Sequence, residues 1–408
     1  MSERYDVAIV GGGIVGLATA LNLLQRRPRL RLAVVEKERA VALHQSSHNS
    51  GVVHAGLYYP VGSRKALLCR EGKAELERFA ADHGIALERC GKLVVAVEPG
   101  ELAGLEALTK RATANGVPGL ERVGPERMAE IEPHVAGIAG LYSPTTAIVD
   151  FAQVSLAYAD EVRARGGEIL LGRRVSGIER RPGIGAAREE VVLVTPLGEV
   201  HAGAVVACAG LWSDRVAAMT GDAGGQRVVP FRGDYLRLRP EARHLVRALI
   251  YPVNDPRFPF LGIHLTRRID GGVWAGPNAV VAFAREGYRL RDVAPADLAA
   301  TLAYRGFLRL AMRFWRFGAG EMWRDLWRPA FAAQVRRYLP EVRDDDLQAG
   351  PSGVRAQSVR LDGEMVDDFS LGGSGRILHV RNAPSPAATA SLAIGRELAG
   401  LAERRFEL

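Results

Sequence analysis

Only three cysteines, Cys69, Cys90 and Cys208, occur in 408 residues, far apart and without a C-x-x-C pair. So sparse and odd a set argues against a disulfide framework or a cysteine-based zinc site, and suits a reducing compartment. No apolar run approaches the roughly 20 residues of a spanning helix. The first apolar strand begins at residue 5, which leaves no room for a secretory leader, so a cytoplasmic protein is expected. Internal repeats, low-complexity segments and a basic tail are also lacking. The net charge of +8 is carried mainly by scattered arginines. It is compatible with an anionic substrate, an anionic membrane surface or nucleic acid, and does not choose among them. Without an RNA-binding module, nucleic acid has nothing else in its favour, and no nucleic-acid partner is expected.

What the chain does have is concentrated at its start. Residues 5–10 read as a buried parallel strand, followed by Gly11-Gly-Gly13-Ile-Val-Gly16 and a helical pattern through Ile14, Leu17, Ala18, Leu21 and Leu24. A second apolar strand ends at Glu36. This is a βαβ unit with G-x-G-x-x-G at Gly11, Gly13 and Gly16. The first glycine permits the tight turn, the second lets backbone approach a pyrophosphate, and the third lets the helix pack on the sheet. The helix N-terminus offers unpaired N–H groups to that pyrophosphate. Glu36, twenty residues after Gly16, suits an adenosine ribose and disfavours a 2′-phosphate. FAD and NAD both remain open on this stretch.

The loop after Glu36 holds His44, His48 and His54. No Cys, Asp or Glu accompanies them there and their spacing matches no standard site, so no metal is expected. Helices are predicted over 63–83, 101–116, 125–131 and 151–165, with strands at 91–97, 138–142, 168–171, 175–180, 191–195 and 199–207. Residues 182–188 read as a turn, and Ala209-Gly210 as a close backbone approach after a buried strand. From 228 the texture becomes antiparallel, with strands at 228–238, 248–252, 260–266 and 272–276. Residues 295–338 are helical, and strands return over 353–382. A last helix is predicted from Pro386, capped by Ser385.

Taken together, the nucleotide unit, the Ser/His/Asn loop, Ala207-Cys-Ala-Gly210, Gly353-Val-Arg355-Ala and the closing small-residue loop resemble the D-amino-acid-oxidase-like superfamily of FAD enzymes. Longer stretches resemble its L-2-hydroxyglutarate dehydrogenase/oxidase branch almost end to end. These are His48-Asn-Ser-Gly-Val-Val-His54-Ala-Gly-Leu-Tyr-Tyr, Pro230-Phe-Arg232-Gly-Asp-Tyr235, Pro259-Phe-Leu-Gly-Ile-His264-Leu-Thr-Arg267, Gly276-Pro-Asn-Ala and Asn382-Ala-Pro-Ser-Pro386. The resemblance implies an α/β fold. A discontinuous FAD domain (1–90, 145–220, 340–408) would carry a substrate domain (91–144, 221–339) built on an antiparallel sheet, with a helical insert at 295–338.

It also implies FAD as cofactor, held by Gly11, Gly13, Ile14, Val15, Gly16, Glu36, Lys37, Ser46, Asn49, Ser50, Val175, Ala209, Gly210, Gly353, Ser385, Ala387 and Ala388. The implied reaction oxidises a dicarboxylic 2-hydroxy acid, most simply L-2-hydroxyglutarate to 2-oxoglutarate, with electrons passing to a quinone or oxygen. Such chemistry needs a base for the hydroxyl proton, a cation for the C1 carboxylate, and a second cation or donor set for the far one. His264, His54 and His48 are the candidate bases, and Arg355, with its planar fork, the candidate for the C1 carboxylate. Arg232, Tyr235, Tyr251 and Arg267 are further substrate-binding candidates. An amine oxidase of the sarcosine or D-amino-acid type is the nearest alternative, and a flavin-containing RNA-binding protein a more distant one.

Residues 305–317 place Arg305, Arg309, Arg313 and Arg316 on one helix face, with Phe307, Leu308, Met312, Phe314 and Trp315 around the rest. Such a cationic amphipathic helix suits the surface of a membrane, which would put the protein on its inner face; a helix packed on its own protein or on a second subunit is the other reading.

Overall fold

The computed structural model describes residues 4–182, 189–222, 224–254 and 261–408. The strand Arg4–Val10 forms the centre of one sheet because Val7, Ala8 and Ile9 are buried on both faces. It runs parallel to Leu32–Val35 on one side and to Gly198–Ala207 on the other. Such two-sided burial is what an apolar strand without polar alternation demands. The long strand Gly198–Ala207 divides its partners: its first half pairs with Glu189–Thr195, and its end pairs in parallel with Ile377–Asn382. The helix Ile14–Arg26 covers one face of this sheet, against the closing helix Ser391–Phe406. Their axes approach closely because a Cβ at Gly395 would lie 2.5 Å from the Ala18 carbonyl oxygen, so only glycine fits there.

A second sheet carries the order Val280–Val281, Gln226–Leu238, Val273–Gly276, His264–Arg267, Leu249–Pro252, Lys92–Ala96, Ala139–Ser143 and Glu121–Val123. Its pairs are antiparallel except Leu249–Pro252 with Lys92–Ala96, which run parallel. A small third sheet joins Val52–Val53, Ala147–Val149 and Leu87–Glu88. The mixed α/β architecture agrees with the fold expected from the sequence.

Several local expectations differ. Leu347–Arg360, assigned with the cofactor domain, pairs along its length with Gln226–Leu238 and so belongs to the second sheet. The closing helix begins at Ser391 rather than Pro386, because residues 385–390 form consecutive turns instead of an α-helical ladder. Ser385 is therefore not its cap; the N-cap is Ala390. The strand expected over 260–266 starts at His264, and its first position, like Pro259 and residues 183–188 of the expected turn, lies outside the described residues.

The helical insert comprises Pro295–Leu302, Arg305–Leu326 and Arg328–Arg336, the second broken locally at Phe314. Phe307 and Leu310 anchor it against Val229, Phe231 and Val359 of the second sheet. Two carboxylates of the same helix reach that sheet as well. Glu321 accepts from the Ala279 N–H at 2.8 Å, and Asp325 accepts from Asn278 at 2.7 Å. No helix among the described residues is long and apolar enough to cross a membrane.

Candidate active site

One elongated cavity of about 720 Å³ runs between the two large sheets. It starts at the glycine turn. Gly11 holds φ +108°, and a Cβ there would sit 2.4 Å from the Cys208 carbonyl oxygen. Gly16 does not line the cavity; its added Cβ would meet the Gly11 oxygen at 2.0 Å, so its role is the helix–strand approach. Glu36 receives the Gly12 N–H at 2.6 Å and the Glu38 N–H at 2.9 Å, which ties the end of the second strand to the glycine turn. Ser46 accepts from Ile14 N–H at 2.9 Å and so caps the nucleotide helix from a loop 32 residues away. Gly13, Ile14, Val15, Lys37, Ser46, Asn49, Ser50, Val175, Ala209 and Gly210 all line this part.

Folding brings acids to His44 that its own loop lacks. Glu38 and Glu286 lie with it within metal-ligand spacing. The Lys37 ammonium occupies the cluster, 2.8 Å from Glu286 and 2.9 Å from His44 Nε2. Lys37 first, then His44, holds the Glu38 carboxyl down at about 2. The group is closed by its own lysine, as an ion-pair network rather than a metal centre.

At the other end the cavity meets His54, Tyr235, Tyr251, His264, Gly353 and Arg355. His264 is 5 % exposed, and its Nδ1 lies 3.0 Å from the Gly262 carbonyl. A carbonyl only accepts, so Nδ1 carries the proton and Nε2 is left as the basic atom. Burial, partly offset by Gly262 and reinforced by Lys92 and Arg355, pushes His264 down to about 3. The Tyr251 ring lies 4.0 Å from the His264 ring, centroid to centroid. His54 is likewise held neutral, chiefly by burial, and its backbone N–H donates to Thr389 Oγ1 at 3.1 Å. His48 also lines the cavity; its Nδ1 donates to the Ser352 carbonyl at 3.0 Å and its ring packs 4.1 Å from that of Tyr288.

Arg355 lies on Leu347–Arg360 opposite Phe231. Burial lowers its pKa, with Tyr235 and Glu321 opposing, and it remains a cation at neutral pH. Arg232 and Arg267 do not reach this cavity. Arg232 pairs with Val354, one step from the Phe231–Arg355 pair, so strand alternation sends the two guanidinium groups to opposite faces. There Arg232 is neutralised by Asp234 at 2.9 Å and Asp325 at 2.7 Å. Arg267 is three residues from His264, again an opposite-face separation, and pairs with Glu88 at 3.1 Å.

The family described as FAD dependent oxidoreductase (DAO) matches residues 6–401. The chain belongs to this DAO family of FAD-dependent oxidoreductases. It is 50% identical to a mitochondrial L-2-hydroxyglutarate dehydrogenase of Nematostella vectensis, over 100% of this chain and 92% of that one. It is 45% identical to the Homo sapiens enzyme of that name, over 100% and 90%, and 43% identical to an Escherichia coli L-2-hydroxyglutarate dehydrogenase, over 97% and 92%. Among solved structures it resembles an L-alpha-glycerophosphate oxidase from Mycoplasma pneumoniae with FAD bound (TM-score 0.78, 21% identity, 100% and 95% covered). A glycine oxidase from Geobacillus kaustophilus is similar at TM-score 0.72, with 21% identity and coverage of 99% and 96%.

The cofactor of a DAO-family chain is FAD, and the residues present fit it. The cavity runs from a helix N-terminus past Glu36 to a wall of small residues at Ser385, Ala387 and Ala388, with the polar groups of a substrate site beyond. Backbone comes to its surface at Gly353, where a Cβ would lie 2.5 Å from the His48 carbonyl oxygen. The sequence reading missed Ser46 as a helix cap, Thr389 behind His54, and the buried lysines Lys65 and Lys92. A charge opening the apolar run Lys92–Ala96 was a readable signal; the other three needed the tertiary structure.

Gly13→Val tests the phosphate end. An added Cβ meets only Ser46 Oγ, at 3.3 Å, and Gly13 has an ordinary extended backbone, so the DAO-family fold should tolerate the change. The branched side chain instead blocks backbone approach to the pyrophosphate. The purified variant should carry little FAD, read from its visible absorbance per protein; full FAD content would displace Gly13 from the phosphate loop.

Proposed function

We propose that this DAO-family enzyme oxidises L-2-hydroxyglutarate to 2-oxoglutarate. The observation that carries the reading is the pairing of a neutral His264, oriented by Gly262, with Arg355 at the far end of the FAD cavity. Full-length relatives bearing the L-2-hydroxyglutarate dehydrogenase name support the substrate. In this reading Arg355 binds the C1 carboxylate in a bidentate fork and so fixes the direction of the C2–H bond. His264 Nε2 takes the hydroxyl proton as the C–O bond gains double-bond character. His54, Tyr235 and Tyr251 close the site; burial keeps both phenols protonated, as hydrogen-bond donors. Bound FAD supplies the acceptor for the C2 hydride. Turnover with a soluble dye as final acceptor should yield one 2-oxoglutarate per L-2-hydroxyglutarate consumed. Turnover that yields no 2-oxo acid would remove the proposal.

The outer face of the insert favours a membrane quinone as electron acceptor, reached by peripheral docking. Met312 is 69% exposed, Trp315 62% and Trp323 58%, with Leu308, Leu326 and Trp327 also exposed alongside them. Arg305, Arg309, Arg313 and Arg316 are exposed on the same helix. Each arginine near an anionic leaflet contributes about 1 kcal/mol, screened by salt, and inserted tryptophans add a salt-resistant part. The protein should co-sediment with anionic liposomes, less so as salt rises. Changing the four arginines to glutamine should abolish this while dye-linked activity persists. Wild type that ignores anionic liposomes at low salt would leave the helix as a packing element.

A further inference from the structure

Residues 284–293 follow the strand Val280–Val281 of the second sheet and return at Ala294, whose N–H donates to the Phe283 carbonyl at 3.0 Å. That bond ties the two ends together and makes the segment a compact loop with a closed neck. Its tip reaches the glycine-turn side of the cavity. We infer that this loop is the closure over bound FAD, and that Glu286 is the latch whose release sets the rate of cofactor exchange. The inference rests on the FAD of the DAO family and is independent of the substrate.

Glu286 lines the cavity together with the three side chains it holds, Lys37, His44 and Trp212. Its Oε1 lies 2.8 Å from the Lys37 ammonium and 3.3 Å from His44 Nε2, and accepts from Trp212 Nε1 at 2.8 Å. Lys37 follows Glu36 beyond the strand Leu32–Val35, and Trp212 closes the short turn Gly210–Trp212. One carboxylate from the second-sheet side thus joins two separate walls of the FAD end. Tyr288 adds a further set of contacts. Its hydroxyl lies 3.2 Å from His44 Nδ1, its ring packs on His48, and its carbonyl accepts from the Ser352 hydroxyl.

Arg285 fixes the neck. It is buried, and its guanidinium donates to Asp214 at 2.6 and 2.9 Å and to the Leu211 carbonyl at 2.6 Å. Its own N–H donates to Asp297 at 3.2 Å. Such a buried, fully paired charge is costly to break and serves as the pivot. The latch is of another kind. The Lys37 and Glu286 side chains are 17% and 22% exposed, so water can replace their contact as the tip lifts. Lys37 keeps Glu38 as a partner when Glu286 leaves, so opening strands no unpaired ammonium.

A latch and a ligand contact leave different signatures. The Glu286 bonds run to groups of the protein itself, so they stabilise the closed loop alike with and without FAD. An interaction equal in two states shifts no equilibrium between them. Weakening it lowers the barrier for entry and for exit by the same amount, and Kd stays where it was. Losing a direct contact to FAD instead raises the release rate and Kd together.

The test follows replacement of bound FAD by excess radiolabelled FAD in purified holoenzyme, and Kd by equilibrium dialysis against FAD, with Tm alongside. Glu286→Gln keeps the bulk and still accepts from Trp212, but loses the charge that holds Lys37. It should speed exchange by about 10-fold or more, the scale of losing one charge-assisted hydrogen bond, with Kd unchanged. Unchanged exchange in a folded Glu286→Gln overturns the inference. A Kd that rises in step with release also overturns it, by making Glu286 a contact of FAD. Should that variant not fold, Tyr288→Phe decides. It keeps the ring on His48 and loses the hydroxyl at His44, so exchange should quicken at constant Kd, and unchanged exchange there overturns the inference. FAD that exchanges in neither wild type nor variant overturns it while the cofactor stands; purified protein without FAD overturns both.

Discussion

Replacing His264 with glutamine should slow anaerobic flavin reduction by about 10²-fold or more, the usual scale for loss of a general base. Glutamine keeps similar bulk and can still donate to the Gly262 carbonyl, so the buried hydrogen bond at 3.0 Å need not be lost. What it lacks is a basic nitrogen. FAD content should be unchanged, because His264 lies at the substrate end, remote from the glycine turn. The free-enzyme pH profile carries a second consequence. With His264 held at about 3, kcat/KM should show no acid limb from it near pH 6.5. A dianionic substrate supplies negative charge beside the ring and raises its basicity only in the complex. An unchanged reduction rate in the variant would transfer the base to His54.

Arg355→Lys is the second large effect. The charge survives, but one ammonium cannot reproduce two parallel N–H···O bonds to a planar carboxylate. Disturbing a buried charged contact of this kind costs about 2 kcal/mol or more, or about 30-fold in kcat/KM. Loss should fall first on KM, with a smaller fall in kcat from misdirected C2–H. Because Arg355 also feels Tyr235 and Tyr251, Tm should be recorded alongside, to separate packing from binding. Wild-type kcat/KM in a correctly folded variant would take Arg355 out of the site.

The parts legible in the sequence were those written in local chemistry. Gly11, Gly13 and Gly16 specify a backbone path within a few residues, and Glu36 closes it at the end of the next strand. Arg355 was singled out by its sequence context, and it lines the cavity. Arg232, a second choice by that measure, could not be set aside from sequence, because its pairing turns on Asp325 some ninety residues away and on a one-step register difference. Ser46 and Thr389 act through single hydrogen bonds to distant backbone, which no spacing announces. The closing helix was placed too early because Pro386 suits a helix start; residues 385–390 instead turn along the cavity wall. The amphipathic pattern of the insert was visible, but not its division. Phe307 and Leu310 face the second sheet, whereas Met312 and Trp315 face outward.

The most direct measurement is the flavin spectrum of the purified holoenzyme under anaerobic titration. L-2-hydroxyglutarate should bleach the oxidised flavin band to completion at one equivalent, while sarcosine and D-amino acids leave it unchanged. Bleaching by an amine substrate, with none by L-2-hydroxyglutarate, would contradict the assignment of Arg355 and His264 to a 2-hydroxy acid.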